Sequence, residues 1–217
     1  MDLSDVWPLF GLEIATPRLR LRPVRDDDLP GLVQAALDGV HDPVRTPFGF
    51  PWTDALPSDL PRNLAAYQWS LRSRIGEGDW TVAFVVEHDG RIVGSQDLSA
   101  HDFAHRRTVN TGSWLTRSVQ GIGLGTEMRA ALLLFAFDRL GAEWAESGAA
   151  SWNEASLRVS QKLGYELNGV TRFAPRPDEP VDEQRVRLTR EAFVRPEWTI
   201  SVRGEGPALA QLGVGSD

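Results

Sequence analysis

Apolar and polar positions alternate in short runs along the first half of the chain, and these runs predict strands and helices joined by turns. Residues 19–23 alternate leucine with arginine, as expected for a strand with one buried face. The acidic run at residues 26–28 is typical of a helix N-terminus, and the apolar positions after it predict a helix to about residue 37. Two apolar runs at residues 80–87 and 92–98 flank an Asp-Gly turn signal, so they predict a β-hairpin.

The other predicted elements alternate between helix and strand, which indicates an α/β chain. They are a helix at about residues 58–75, a third antiparallel strand at 107–115, an apolar helix at 128–140, a strand at 143–148, a short helix between Asn153 and Gly164, and an edge strand at 199–202. Asn153 is a favourable N-cap, and Gly164 suits the left-handed position that ends a helix. Residues 39–60 are rich in proline and aromatics and fit no element. We interpret them either as a loop that faces a substrate or as a packed crossing over the surface.

A glycine-rich run lies between the predicted strand at 107–115 and the predicted helix at 128–140, and it reads Gln120, Gly121, Ile122, Gly123, Leu124, Gly125, Thr126. Alternating glycines at a helix N-terminus let backbone N–H groups converge on an anion, and the helix dipole adds to the attraction. The run lacks the lysine of a nucleotide-triphosphatase loop. It also lacks the glycine spacing of a dinucleotide fold, although Glu143 lies at the distance that such a fold requires. We therefore predict a site for a phosphate-bearing ligand, and a dinucleotide site and a ligand-free glycine turn are the alternatives.

Composition narrows the class of protein. The chain has 217 residues, no cysteine, four histidines and a formal net charge of −7. Without cysteine there is no thiol nucleophile, thiolate metal site or disulfide, and the histidines lack zinc-type spacing, so we expect no metal. The acidic balance argues against nucleic acid as the main partner and favours an amine acceptor. No apolar run is long enough to span a membrane and no signal-peptide pattern is present, so we expect a cytoplasmic protein without a membrane partner. The length suits a single domain over residues 1–217, with a C-terminal extension from about residue 194.

The order of these motifs, within residues 16–189, resembles the GNAT acyltransferases. The matching features are the strand, the Gln-Gly-x-Gly-x-Gly-Thr run, the helix, the next strand, and Asn153-x-x-Ser156 ahead of a Lys-Leu-Gly-Tyr sequence at 162–165. Residues 16–22 are similar to the first strand of the branch that includes the ribosomal-protein N-terminal (Rim-type) acetyltransferases. The segments 39–43, 51–53, 112–115 and 125–129 are similar to actinobacterial members, some of which use succinyl-CoA. The resemblance implies an α/β (α+β) GNAT fold, in which a mixed, mostly antiparallel twisted sheet of about seven strands is flanked by helices and splayed at the acyl-CoA site.

The resemblance also implies which residues bind the coenzyme, and they are Trp114, Leu115, Thr116, the whole run at 120–126, Asn153, Ser156 and Ser160. The run at 120–126 would hold the pyrophosphate, and the strand before it would pair with the amides of the pantetheine arm. An N–H group near Leu115 would polarise the thioester carbonyl as an oxyanion hole does. Asn153 and Ser156 also have a simpler explanation as a helix cap and a polar residue of its first turn.

Two positions depart from the family pattern for catalysis. Ser160 stands where many GNAT enzymes have a tyrosine that protonates the departing thiolate, and serine is the weaker acid. Asn110 stands where the family often has a glutamate base, and asparagine cannot accept the proton. The other candidate bases are His41, Asp42, Asp102 and Glu146. An α-amino group with a pKa of about 8 is about one-tenth neutral at pH 7, whereas lysine with a pKa near 10.4 is neutral in well under one molecule per thousand. A weak base therefore favours an acceptor amine of low pKa.

The activity that the resemblance implies is direct acyl transfer from coenzyme A to a primary amine of a protein N-terminus, a lysine or a small molecule. Acetyl-CoA is the default donor. A succinyl donor would need a cation for its distal carboxylate, and the arginines available are Arg45, Arg72, Arg74, Arg106, Arg107 and Arg117. We also expect a homodimer or a higher homo-oligomer. Two other functions stay open, a non-catalytic acyl-CoA sensor, which would explain Asn110 and Ser160, and a nucleotide-dependent oxidoreductase.

Overall fold

The computed structural model describes residues 1–76 and 78–214, and a sheet of nine strands crosses this part of the chain. The strands are β1 (Glu13–Ala15), β2 (Leu19–Pro23), β3 (Trp80–His88), β4 (Arg91–Ala100), β5 (Thr108–Leu115), β6 (Trp144–Ala150), β7 (Glu166–Arg176), β8 (Glu179–Thr189) and β9 (Ser201–Arg203). The helices are α1 (Leu3–Val6), α2 (Leu29–Leu37), α3 (Leu60–Arg72), α4 (Phe103–Arg106), α5 (Leu124–Phe135), α6 (Glu154–Lys162) and α7 (Glu205–Gln211). The strand order is β7-β8-β6-β5-β4-β3-β2-β1-β9.

Neighbouring strands are antiparallel except at the centre of the sheet, where β5 runs parallel to β6. This parallel contact is short. It runs from the Thr108–Trp144 pair to the Asn110–Glu146 pair, although β5 continues to Leu115. Beyond Asn110, the Ser147 hydroxyl still donates to the Thr111 carbonyl at 2.9 Å, and then the two strands part. The sheet is therefore splayed between β5 and β6, as the resemblance implied.

The two faces of the sheet carry two separate apolar clusters, because successive strand residues face opposite sides. Val82, Phe84 and Val86 of β3 lie in the larger cluster, together with the buried residues of α5. Ala83 and Val85 lie in the smaller cluster with apolar residues of α2 and α3. Each face of the sheet is thus covered by helices, and the splayed edge lies between the two layers.

The predicted fold class is confirmed, and nine strands replace the expected seven or so. Strand β9 was predicted at 199–202, and it pairs with β1 at one edge of the sheet. Strands β1, β7 and β8 were not among the predicted elements, and β1, with three residues, is too short for a periodic pattern. Helix α5 begins at Leu124, four residues before the predicted start, because the glycine-rich run opens the helix directly. Within the described ranges, no helix is long and apolar enough to cross a membrane.

Candidate active site

A cavity of about 1050 Å³ opens where β5 and β6 part. Its walls are contributed by the glycine-rich run, the ends of β5 and β6, the first turns of α6, and residues 40–49. Of the residues implied for coenzyme binding, the following line it: Trp114, Leu115, Gln120, Gly121, Gly123, Gly125, Thr126, Asn153 and Ser156. The fold therefore brings together groups that are far apart along the chain.

The glycine-rich run forms a tight turn that ends in α5. Gly121 and Gly123 have φ values of 80° and 92°, a left-handed conformation that glycine adopts without strain. Among the described residues, no protein group accepts a hydrogen bond from the N–H groups of residues 121–125. The side chains of Ile122, 55% exposed, and Leu124, buried in the core, lie away from the cavity, so these two residues offer only their backbone. The turn presents a set of free N–H groups at a helix N-terminus, which is the arrangement that binds a pyrophosphate.

Residues 16–18, which belong to the segment similar to the Rim-type branch, hold the glycine-rich turn in place. Arg18 donates to the Ile122 carbonyl at 3.0 Å and to the Glu127 carboxylate at 2.6 Å. Glu127 is buried and also accepts from the Thr16 hydroxyl at 2.6 Å. The Thr-Pro-Arg sequence before β2 is thus tied to the first turn of α5.

Strand β5 presents backbone groups to the open edge. The Thr116 N–H donates to the Val93 carbonyl at 2.8 Å, and Ser95 is paired with Trp114. In an antiparallel ladder, alternate residues bond to the partner strand, so the N–H groups of residues 111, 113 and 115 face β6 and the cavity. The Leu115 carbonyl is consistent with this direction because it accepts from the Gln120 amide at 2.8 Å rather than from β4. Thr116 itself is buried and bonded, and it lies outside the cavity lining.

Residues 39–60 form one wall of the cavity as a packed segment. Phe48, Trp52 and Trp114 stack in sequence, with ring centroids 5.2 Å and 5.4 Å apart. Arg176 of β7 holds the segment from outside, since it donates to both carboxylate oxygens of Asp54 at 2.6 Å and 2.8 Å. It also donates to the carbonyls of residues 43 and 44. The segment is therefore packed, as one interpretation held, and its residues 40–49 include cavity-lining positions, whereas contact with a substrate stays a prediction.

Helix α6 presents its first turns to the cavity. Asn153 caps the helix by accepting from the Ser156 N–H at 3.2 Å, as predicted for an N-cap. A proton donor to the thiol should face the cavity. The Ser160 side chain instead is buried and lies outside the cavity lining. Arg129 of α5 lies on the cavity wall at this point, and its Nη1 atom donates to the Ser160 hydroxyl at 2.9 Å. The sequence analysis did not single out Arg129, because an arginine in an apolar helix has no motif of its own.

A carboxylate that the sequence analysis missed lies on the opposite wall. Asp97 of β4 pairs with Gly112 of β5 and with Ala83 of β3, which places it on the sheet face covered by α2 and α3. It lines the cavity beside Tyr67 and Asn110. Burial raises the pKa of the Asp97 carboxyl to about 7, and burial together with the Asp97 charge raises the pKa of Tyr67 to about 12. In the sequence, the one feature that could have indicated this carboxylate is that Asp97 is the single acidic residue within the apolar run at 92–98.

The predicted base candidates are spread between the cavity and the surface. Asn110, His41 and Asp42 lie on the cavity wall. Both ring nitrogens of His41 are engaged, at 2.7 Å from the Asp42 carbonyl and 2.7 Å from the Thr53 hydroxyl. Asp102 lies outside the lining, exposed, where a hydrogen bond from His105 at 2.7 Å lowers the pKa of its carboxyl.

The remaining charged groups at the cavity are mostly basic. Glu146 lies outside the lining and is 3.9 Å from Arg185, which lines it. Of the six arginines considered for a succinyl group, Arg117 lines the cavity. The basic residues Arg129, Arg158, Lys162 and Arg185 also line it and were not anticipated. Within residues 1–76 and 78–214, no group of three or more histidine and acidic side chains could hold a metal ion.

A glycine turn at a helix N-terminus, beside a splayed sheet edge with free backbone groups, defines an acyl-coenzyme A transferase site. The family model for the acetyltransferase (GNAT) domain matches residues 18–166, more than half of the chain. The chain belongs to the GNAT acetyltransferase family. It is an enzyme of the acetyltransferase class, and members of this class use acetyl-CoA.

Solved structures share this fold at low sequence identity. Mycobacterium smegmatis RimJ in complex with CoA-disulfide has a TM-score of 0.68 and 20% identity, covering 94% of this chain and 95% of that one. RimL, a ribosomal L7/L12 alpha-N-protein acetyltransferase in complex with coenzyme A, has a TM-score of 0.63 and 18% identity, covering 82% and 97%. A GNAT-family acetyltransferase from Bacillus anthracis has a TM-score of 0.63 and 18% identity, covering 82% and 99%.

Proposed function

We propose that this protein transfers an acetyl group from acetyl-CoA to the α-amino group of a protein or peptide. The observation that carries the proposal is Asp97, a carboxylate on the cavity wall whose pKa burial raises to about 7. Such a group is half ionised near neutral pH, which suits a general base. Asp97 thus takes the role that Asn110 cannot fill.

In this proposal the coenzyme extends from the glycine turn to the splayed strands. The free N–H groups of residues 121–125 hold the pyrophosphate, and the residues of β5 that face the open edge pair with the pantetheine amides. Asn153 and Ser156 contact the same arm from α6. The Leu115 N–H, which faces the cavity by strand alternation, donates to the thioester oxygen and to the oxyanion that forms there.

The reaction then proceeds by direct attack. Asp97 accepts a proton from the acceptor ammonium, and the neutral amine attacks the thioester carbon. The tetrahedral intermediate collapses, the C–S bond breaks, and coenzyme A departs as a thiolate, while the amide nitrogen releases its second proton to solvent. His41 and Asp42 lie on the cavity wall that residues 40–49 form. In this proposal they contribute to binding of the acceptor peptide. We place Asp102 and Glu146 outside the reaction, because neither lines the cavity.

The acceptor follows from the proton balance. Transfer from an α-ammonium of pKa about 8 to a carboxylate of pKa about 7 costs about 1.4 kcal/mol, whereas transfer from lysine at about 10.4 costs about 4.6 kcal/mol. RimL is an alpha-N-protein acetyltransferase of ribosomal L7/L12, and this acceptor is in keeping with the choice. A succinyl donor is a second proposal, supported by Arg117 on the cavity wall, where a cation could pair with a distal carboxylate.

Two further proposals concern the assembly of the chain. We propose that residues 194–214 belong to the same domain as the rest, supported by the pairing of β9 with β1 and by the burial of Ala208 and Leu212 in the larger core. Residues 215–217 lie outside the described residues. We also propose a homodimer formed through β7, an edge strand that exposes Leu167 and Val170. Sedimentation of the protein and of Leu167→Lys at several concentrations tests the dimer, and a monomer at all of them would exclude it.

The function is tested with two matched peptides and acetyl-CoA. One peptide has a free α-amine and no lysine, and the other has a blocked N-terminus and one lysine. Mass spectrometry of the products at several pH values should show at least a hundredfold preference in kcat/KM for the free α-amine. A preference for lysine would refute the acceptor assignment. Coenzyme A binding without turnover on any amine would instead indicate a sensor, and stabilisation by NADH alone would indicate an oxidoreductase.

A further inference from the structure

Arg129 is a buried cation with an incomplete set of partners. Its side chain is 5% exposed, lies in the middle of α5 and lines the cavity. Nη1 donates to the Ser160 hydroxyl at 2.9 Å, whereas Nε has no hydrogen-bond partner. Across the described ranges, no carboxylate lies within 4 Å of the guanidinium. A buried charge without a counter-ion is costly, so such a position implies that an anion binds beside it.

Ser160 lies behind Arg129 as seen from the cavity. Its hydroxyl oxygen accepts from Arg129, and its hydrogen is directed at the Ser156 carbonyl at a long 3.3 Å. In many of the enzymes that this chain resembles, a tyrosine stands at this helix position and serves the coenzyme sulfur. Here a short, buried serine stands at that position, and the arginine to which it is bonded lines the cavity. Arg129 is thus a cation that the cavity wall offers at this point.

The groups beside Arg129 on α6, β5 and β6 are hydroxyls, and the carboxylates of the cavity lie farther away than ion-pair distance. Tyr165 follows α6, and burial raises the pKa of its hydroxyl, so the hydroxyl stays neutral. The Tyr165 hydroxyl and the Thr111 hydroxyl of β5 are buried beside each other, and the Ser147 hydroxyl of β6 donates to the Thr111 carbonyl. The other charged groups that line the cavity are Asp42, Asp97, Arg117, Arg158, Lys162, Glu183 and Arg185.

We infer that the Arg129 guanidinium binds the sulfur of coenzyme A and stabilises the thiolate that leaves when the C–S bond breaks. This inference rests on the proposed acyl transfer. The electron pair of the C–S bond stays on sulfur, and the first proton of the acceptor ammonium goes to Asp97. The second proton leaves the amide nitrogen for solvent as the intermediate collapses, and the thiolate takes a proton from solvent after release. No proton donor is needed at Ser160, which acts as a positioning residue that orients the guanidinium.

The inference predicts an unusual acid strength for bound coenzyme A. An alkyl thiol has a pKa of about 8.5, and an adjacent cation lowers it. We expect the pKa of bound coenzyme A to fall by at least about one unit, equivalent to a tenfold tighter binding of the thiolate than of the thiol. Thiolate absorbance in the ultraviolet, followed over a pH series, measures this pKa. Desulfo-coenzyme A, which lacks the sulfur, measures binding of the rest of the molecule.

The variants separate charge from structure. Arg129→Met should restore an ordinary thiol pKa and lower kcat by about 10²- to 10³-fold, as expected when an electrostatic contact to the transition state is lost. Its affinity for desulfo-coenzyme A should stay unchanged. Arg129→Lys keeps the charge and should retain part of the pKa shift. Ser160→Ala should retain the shift in part and lower kcat less than Arg129→Met does.

Each outcome bears on the inference. Binding of coenzyme A with an ordinary thiol pKa would overturn it and leave the proposed function intact. A lowered pKa that persists in Arg129→Met would also overturn it, since another group would then hold the thiolate. If Arg129→Met loses desulfo-coenzyme A binding through misfolding, Arg129→Gln takes its place with the same expectation. Failure of the unaltered protein to bind any coenzyme A compound would overturn both the proposed function and this inference.

Discussion

Replacing Asp97 by asparagine changes activity and stability in opposite directions. The carboxyl lies on the cavity wall between Gly112 and Ala83, and burial raises its pKa from an ordinary 3.8 to about 7. If Asp97 is the base, log kcat/KM should rise with unit slope up to about pH 7 and then level off until the next group titrates. Asp97→Asn keeps the shape of the side chain and removes the base. We expect a loss of about 10²- to 10⁴-fold in kcat/KM, the usual contribution of general-base catalysis.

The stability effect has the opposite sign. The folded pKa is raised above the unfolded value, so the folded protein binds this proton more tightly. The resulting stabilisation is fully present below the unfolded pKa and is lost as pH rises through about 7. A shift of about three units sets an upper bound of about 4 kcal/mol, and water in the open cavity reduces it. The difference in free energy of unfolding between Asp97→Asn and the unaltered protein should therefore move in favour of the variant between pH 4 and pH 8.

Two measurements check this reasoning. One is the pH profile of kcat/KM on the α-amine peptide, and the other is the midpoint of urea unfolding for both proteins across the same pH range. Asp102→Asn is the competing variant, because Asp102 was a candidate base from the sequence and lies exposed outside the cavity. Retained activity in Asp97→Asn, or loss of activity in Asp102→Asn alone, would refute the assignment. Parallel unfolding curves at all pH values would refute the raised pKa.

Three other predictions follow from the geometry, with Gly90→Ala as a shared control because Gly90 also has a positive φ and no neighbouring atom within 4 Å. Gly204→Ala would place a Cβ 2.2 Å from a backbone carbonyl oxygen, so its urea midpoint should fall clearly further than that of the control, whose cost is about 1 to 2 kcal/mol of backbone strain. Gly123→Ala should weaken coenzyme A binding in calorimetry by about tenfold, since φ is 92° in the pyrophosphate turn, whereas the control should bind normally. Arg176→Ala should raise KM for the acceptor peptide and speed protease cleavage within residues 39–60, whereas Arg172→Ala, which loses one exposed pair with Asp182, should do neither.

Local chemistry made much of the fold predictable. The hairpin of β3 and β4 follows from the Asp-Gly signal, and Asp89 and Gly90 both have positive φ values as that turn requires. The N-cap at Asn153 and the left-handed Gly164 were predictable in the same way. The strands β1 and β9 pair with each other although they lie near opposite ends of the chain. Strand β1 has only three residues of its own and depends on this distant partner, so it was not predicted, whereas the apolar run of β9 was.

The candidate site was predictable only in part. The residues of the pyrophosphate turn were recognisable because their function depends on glycine and on position before a helix. Asp97 was missed because the alternation of β4 shows that one face is buried but does not show that a cavity opens over it. Ser160 was placed at the thiol by its position in the motif, and its burial behind Arg129 depends on how α5 packs against α6.

The sequence by itself determined the family, the glycine-rich turn and the order of most strands and helices, because each depends on residues close together in the chain. Only the tertiary structure decided which groups line the cavity. The pairing of β5 with β6 stops after Asn110, and this single break opens the cavity that exposes Asp97 on one side and Arg129 on the other. The raised pKa of Asp97 and the burial of the Arg129 guanidinium both depend on elements that are distant in sequence, and no local pattern encodes that burial.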